Sequence, residues 1–166
     1  RGDQVAIIWE GDSPDEDRKI TYKELHEEVS RFANALKDRG VKKGDRVALY
    51  LPMIAEAAVA MLACTRIGAV HSIVFGGFSP DALASRVNNA DCQVLVTSDQ
   101  SMRGGRKVPL KNNADKALED CPNVHTMFVV QRGGDPVEWN DERDVWYHEA
   151  VEAASPDCPP EEMDAD

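Results

Sequence analysis

Apolar and polar positions follow two rhythms along this chain. Near the start, Val5-Ala-Ile-Ile-Trp9 is a short apolar run, and Lys19-Ile-Thr-Tyr22 is another. The polar stretch Gly11-Asp-Ser-Pro-Asp-Glu-Asp17 separates them, so a hairpin is predicted. The period then changes. Leu25, Val29, Phe32, Ala33 and Leu36 recur at helical spacing. Thr21 stands three residues before Glu24, the spacing of a capping box, and Gly40 suits the C-terminal stop.

After that helix the apolar runs become nearly continuous. Val47-Ala-Leu-Tyr-Leu51 predicts a buried strand ending at Pro52. From Ile54 to Ile67 only Glu56, Thr65 and Arg66 are clearly polar, which predicts a helix packed on more than one side and stopped by Gly68. Val70 to Phe75 predicts a strand, and Gly76-Gly77 turns the chain. Ser79 caps the next helix, with Pro80 in its first turn and Leu83 and Val87 facing inward. Cys92 to Thr97 predicts a fourth strand. Leu110, Ala114, Ala117 and Leu118 outline a short helix that stops near Pro122, and Thr126 to Val130 is a last apolar strand. Trp146 to Ala154 reads as one more helix, with Trp139, Trp146 and Tyr147 anchoring the tail. Ser155-Pro-Asp-Cys-Pro-Pro160 reads as a linker running into the acidic Glu161 to Asp166.

Strands alternating with helices indicate an α/β fold: a doubly wound, mostly parallel sheet with helices on both faces. The 166 residues suggest one domain. In such sheets ligands sit beyond the carboxyl ends of the strands. Two segments fall there, the Gly76-Gly77 turn and the stretch after the fourth strand.

Charge singles out the second of these. The formal net charge is -11, yet Gln100 to Ala114 carries Arg103, Arg106, Lys107 and Lys111 and no acid. Residues 131–166 hold 12 acids against Arg132 and Arg143, which leaves 18 acids and 17 bases for residues 1–130. The body is nearly neutral, so the basic stretch is a local feature. Two glycines between two arginines allow guanidinium forks and backbone N–H groups to approach one phosphate together. Arg103 and Arg106 are the candidate clamp, Gly104 and Gly105 give backbone access, and Lys107 or Lys111 adds field. The competing reading is a solvated loop whose charges pair with the acidic tail.

Other chemistry is poorly supported. No wider basic stripe exists for nucleic acid, and no apolar run reaches the ~18 residues of a membrane span. The four cysteines, Cys64, Cys92, Cys121 and Cys158, form no CxxC pair, which argues against zinc or a redox dithiol. Cys64 and Cys92 read as reduced core residues, consistent with a cytoplasmic protein. No P-loop or GxSxG pattern occurs. His26, His71, His125 and His148 lack metal-ligand spacing and a nucleophile partner. No residue is assigned a catalytic or metal-binding role.

Three stretches carry a resemblance: Asp45-Arg-Val-Ala-Leu-Tyr-Leu-Pro-Met53, then Ala63-Cys-Thr-Arg-Ile-Gly-Ala-Val-His-Ser-Ile-Val-Phe-Gly-Gly-Phe-Ser-Pro80, then Arg103-Gly-Gly-Arg-Lys-Val-Pro-Leu-Lys111. Together they resemble the AMP-forming acetyl-CoA synthetases, members of the adenylate-forming superfamily, from about Val5 to Asp166. The resemblance implies a ligase that activates acetate with ATP, magnesium screening the phosphates, and passes the acetyl group to CoA. It implies that Arg103 and Arg106, with Gly104 and Gly105, meet the nucleotide end of CoA, whose 3′-phosphate needs neutralisation. The family's Ser/Thr/Gly-rich phosphate loop is expected just after Asp166. Its acetate pocket, adenine contacts, magnesium ligands and catalytic lysine are expected further on. The chain is therefore expected to be an internal piece of the large N-terminal domain. Residues 1–154 would be an α/β subdomain and 155–166 a linker into the phosphate loop, inactive without the remainder of the parent chain. A propionyl- or other short-chain acyl-CoA synthetase is the alternative within the class. A non-catalytic α/β anion-binding or structural domain is the alternative outside it.

Overall fold

The computed structural model describes residues 1–164; the last two positions of the acidic end, 165 and 166, lie outside the described residues. In chain order the elements are β1 (Val5–Glu10), β2 (Asp17–Thr21), α1 (Tyr22–Asp38), β3 (Arg46–Leu51), α2 (Ala55–Arg66), β4 (Val70–Phe75) and α3 (Pro80–Asn89). There follow β5 (Val94–Ser98), β6 (Ser101–Arg103), β7 (Arg106–Val108), α4 (Leu110–Leu118), β8 (Thr126–Val130), β9 (Asp144–Trp146) and α5 (Tyr147–Ala153).

β1 and β2 pair antiparallel, as the flanking apolar runs predicted. Thr21 then caps α1: its side chain accepts from the Glu24 N–H at 3.3 Å, and the Glu24 carboxylate accepts from the Thr21 N–H at 2.8 Å. The capping box satisfies two donors that helix geometry leaves open. Ser79 caps α3 by its side chain alone, accepting from the Ala82 N–H at 3.3 Å.

The main sheet has the order β4-β3-β5-β8-β9 and every pairing in it is parallel. Alternate residues of the central strands enter two separate cores. Val47, Leu49, Val94, Val96, Phe128 and Val130 pack with α1, α2 and α5 on one face. Ala48, Tyr50, Leu95, Met127 and Val129 pack with α3 and α4 on the other. Burial on both faces is why these strands read as unbroken apolar runs. Phe32 of α1 is fully buried, edge-on to Phe128 at 5.2 Å between centroids.

Sheet order reveals where the winding reverses. From β3 the chain steps to β4 on one side, then crosses to β5 on the other and continues outward through β8 and β9. The carboxyl ends of β3 and β5 therefore flank a crevice, the usual ligand position in open sheets of this class.

Three features depart from the sequence reading. The basic stretch folds as a two-stranded hairpin, β6 with β7, in place of a loop. Trp146 ends the short strand β9, and helix α5 begins only at Tyr147. The fourth strand starts at Val94, because Cys92 and Gln93 still belong to the turn that leaves α3.

Beyond α5 the chain lies extended against α1 and α2. Arg31 donates to the Ala154 carbonyl at 2.6 Å, and Asn34 donates to the carbonyls of Ser155 and Asp157 at 2.8 and 2.9 Å. Arg66 donates to the Cys158 carbonyl at 2.6 Å, and Cys158 is buried.

Candidate anion-binding site

Two residues, Asp99 and Gln100, separate the end of β5 from β6, and Asp99 fixes their course. Its carboxylate is 2% exposed. It accepts backbone N–H groups from Gln100 at 2.6 Å, Arg132 at 2.8 Å, Gly133 at 3.1 Å and Gly134 at 2.7 Å. One buried side chain thus welds the exit of β5 to the loop that leaves β8. Converging amides of this kind stabilise a buried carboxylate. The β6–β7 hairpin springs from this platform.

The hairpin turn is Gly104-Gly105, with φ of +55° and +74°. Positive φ at both central residues is the two-residue turn whose twist matches antiparallel strands, and glycine adopts it without steric cost. A Cβ at either glycine would meet nothing within 4 Å, so the turn is open to a ligand. The turn sets Arg103 and Arg106 directly opposite each other in the strand register. Like charges in that relationship repel. Among the described residues, no carboxylate lies within 4 Å of either guanidinium. Arg103 sits 5.7 Å from the centroid of the Phe75 ring, which is 58% exposed.

The turn amides are engaged. The Gly104 N–H donates to Asp12 Oδ1 at 3.2 Å and the Gly105 N–H to Asp12 Oδ2 at 2.8 Å. Asp12 comes from the β1–β2 connection, which crosses over the hairpin. The base of that connection is moored by a bidentate pair, Arg132 to Glu16 at 2.8 and 2.7 Å. The hydrogen bonds from Arg132 hold the Glu16 carboxyl below its ordinary range.

Between hairpin, connection and strand ends lies a cleft of about 380 Å³, lined among others by Trp9, Pro52, Met53, Phe75, Arg103 and Arg132. Gly76 and Gly77 form part of its wall. The buried Tyr50 hydroxyl fixes that wall by donating to the Phe78 carbonyl at 2.9 Å. Trp9 closes another side, its indole N–H donating to the Met53 carbonyl at 2.7 Å. A larger cavity of about 600 Å³ lies on the α1–α5 side. Its Arg18 is paired with Glu28 and Glu56 at 3.4 and 3.1 Å, and Glu152 also lines it, so its carboxylates outnumber its arginines and it does not suit an anion.

The structure therefore gathers Arg103, Gly104, Gly105 and Arg106 at one hairpin tip. The other two cations do not join them. Lys107 pairs with Asp135 of the acidic tail at 2.6 Å, as the competing reading expected for the whole stretch. Lys111 is a correction: it is fully buried on α4 and adds no field to the tip. Its Nζ meets Asp115 at 2.8 Å, Asp144 at 2.8 Å and the Glu138 carbonyl at 2.8 Å. Arg143 joins the same network through Asp115 and Asp144. The Lys111–Asp115 spacing of four was the available signal. Asp99, Asp12 and Tyr50 were missed, because each acts across a long sequence separation. Among the described residues no group of His, Cys, Asp and Glu is placed to hold a metal, and no helix is long and apolar enough to cross a membrane.

A family model described as "AMP-binding enzyme" matches residues 1–166. A protein named acetyl-coenzyme A synthetase from Halorhodospira halophila is 70% identical over all of this chain, which covers 26% of that protein. One of the same name from Magnetococcus marinus is 69% identical, again with 26% of its length covered. Acetyl-coenzyme A synthetase 2 of Pseudomonas putida is 60% identical over the same span. Among solved structures, acetoacetyl-CoA synthetase from Streptomyces lividans superposes with a TM-score of 0.88 at 25% identity, over 98% of this chain and 24% of that one. The chain thus spans about a quarter of the length of the curated relatives it matches.

Proposed function

The chain belongs to the AMP-binding enzyme family, and from that premise we propose that it forms the coenzyme-facing part of an acetate–CoA ligase. The relatives' names support acetate and CoA as substrates. In the whole enzyme a carboxylate oxygen of acetate bonds to the α-phosphorus of ATP and pyrophosphate leaves. The CoA thiol then attacks the acetyl carbonyl and AMP departs. ATP and Mg2+ would be held by residues beyond this chain. Residues 1–154 would be an α/β subdomain of the N-terminal AMP-binding domain, and 155–166 would lead on to its phosphate loop. Four unpaired, buried cysteines fit a reducing compartment, the cytoplasm.

One observation carries the coenzyme role: Arg103 and Arg106 stand opposite each other across an open turn with no carboxylate bound to either guanidinium. Two guanidinium groups so placed suit a phosphate monoester, and such charge-assisted contacts are about twice as strong as neutral ones. The tip suits the 3′-phosphate of CoA, with the rest of the nucleotide end along the Phe75 wall. The residues hold and orient the coenzyme, while bond making occurs elsewhere.

The test is the double variant Arg103→Ala/Arg106→Ala in the full-length enzyme. A raised KM for CoA with ATP–pyrophosphate exchange kept is the expected result. Lost exchange with an unchanged KM for CoA would overturn it. The 166 residues alone should show no exchange. The fold neighbour is named for acetoacetate, so this architecture by itself does not choose the acid. Comparing acetate with propionate as substrate separates acetyl from other short-chain ligases.

A further inference from the structure

We infer that Asp12 is a built-in competitor for the anionic group received at the Gly104–Gly105 turn, and that ligand binding displaces it. The inference rests on the reading of this hairpin tip as the seat of a coenzyme phosphate.

Each backbone amide has one hydrogen, and both hydrogens of the turn point at Asp12, one to each carboxylate oxygen, at 3.2 and 2.8 Å. Two oxygens of one anion on two adjacent N–H groups is also how a phosphate grips such a turn. The same donors cannot serve both anions, and two anions side by side repel. Asp12 belongs to a segment 92 residues away in sequence and is exposed. Its carboxylate lies beyond 4 Å from both arginines among the described residues.

The connection is built so that Asp12 can leave alone. Glu16 is moored by Arg132, and the Gly11 N–H donates to the Glu16 carbonyl at 2.6 Å, closing the base of the connection. Asp12 lies above that closure, so its departure leaves the β1–β2 pairing intact. A phosphate brings contacts to Arg103 and Arg106 as well as to the amides and so outcompetes the carboxylate. A neutral hydroxyl in the same place brings neither and leaves Asp12 seated. Asp12 is therefore a specificity-determining residue that sharpens the choice between a phosphorylated coenzyme and its dephosphorylated form.

The experiment measures KM for CoA and for dephospho-CoA, which lacks the 3′-phosphate, in the full-length enzyme. It compares the parent with Asp12→Asn and Asp12→Ala. Removing the competitor lowers the KM for CoA by about fivefold, the scale of one screened charge contact, and leaves that for dephospho-CoA unchanged. An unchanged or raised KM for CoA overturns the proposal, as does an equal shift for both coenzymes. Arg103→Ala/Arg106→Ala in parallel separates the two levels. If this variant loses its preference for CoA while the Asp12 variants behave as the parent, only the competitor role falls. If the preference survives in the arginine variant, the site reading falls and the competitor role with it.

Discussion

The Asp99 carboxylate accepts the Gly134 N–H at 2.7 Å, joining the exit of β5 to the exit of β8 across 35 residues of sequence. Asp99→Ala would strip the acceptor from four amides at a site only 2% exposed. The expected loss is about 3 kcal/mol or more, since hydrogen bonds to a charged group each carry roughly 1.5–3 kcal/mol. Asp99→Asn should recover part of it. Urea midpoints for the two variants decide the point, and equal midpoints for parent and alanine would contradict it.

Acid should weaken the Lys111–Asp144 contact. Burial by itself would raise the Asp144 carboxyl, but hydrogen bonds from Arg143, Lys111 and the Asn140 N–H outweigh it and hold the group below its ordinary range. A depressed carboxyl contributes stability in full above its unfolded value, near about 4, and loses it as pH falls through the folded value. Melting temperature should therefore hold between neutral pH and about 5 and drop below about 4. Asp144→Asn should cost about 3 kcal/mol at neutral pH and flatten the acid drop.

Thiol chemistry should be silent in the folded protein. Burial pushes the Cys64 thiol up to about 12 and the Cys92 thiol up to about 11. At pH 8 neither supplies useful thiolate. Iodoacetamide should leave both unmodified under native conditions and label them once the chain is unfolded. Rapid native labelling of Cys64, followed by mass spectrometry, would be the contrary finding.

The start of α1 offers a smaller, local test. Thr21→Ala removes the side-chain acceptor for the Glu24 N–H and should cost about 1 kcal/mol. Thr21→Ser keeps that acceptor and should stay close to the parent in the same thermal melts.

What could be read in advance follows a physical line. Helix α1 was legible because its cap, its period and its stop all lie within its own segment. The parallel strands were legible because burial on both faces writes an uninterrupted apolar run. β6 and β7 were not, since Ser-Met-Arg and Arg-Lys-Val show no apolar alternation. Their only local mark was a two-glycine step between short segments. β9 is three residues long and exists through its pairing with β8. The site was half legible. Arg103 and Arg106 were visible as charge, whereas their opposition needed the hairpin. Lys111 shared that charge signal and went inward with its helix. Asp12 read only as a turn residue, because nothing nearby in sequence announces a contact made 92 positions later.

The extended stretch after α5 sets a clock on assembly. Arg31 and Asn34 of α1 find their carbonyl partners 121 to 123 residues downstream, and Arg66 of α2 waits 92 residues for its own. As a chain emerges during synthesis at roughly 5–20 residues per second, α1 spends on the order of ten seconds with that flank bare. The helical layer made first is among the last to be sealed, and the interval before sealing is when a newly made chain is most open to chaperones and to misassociation.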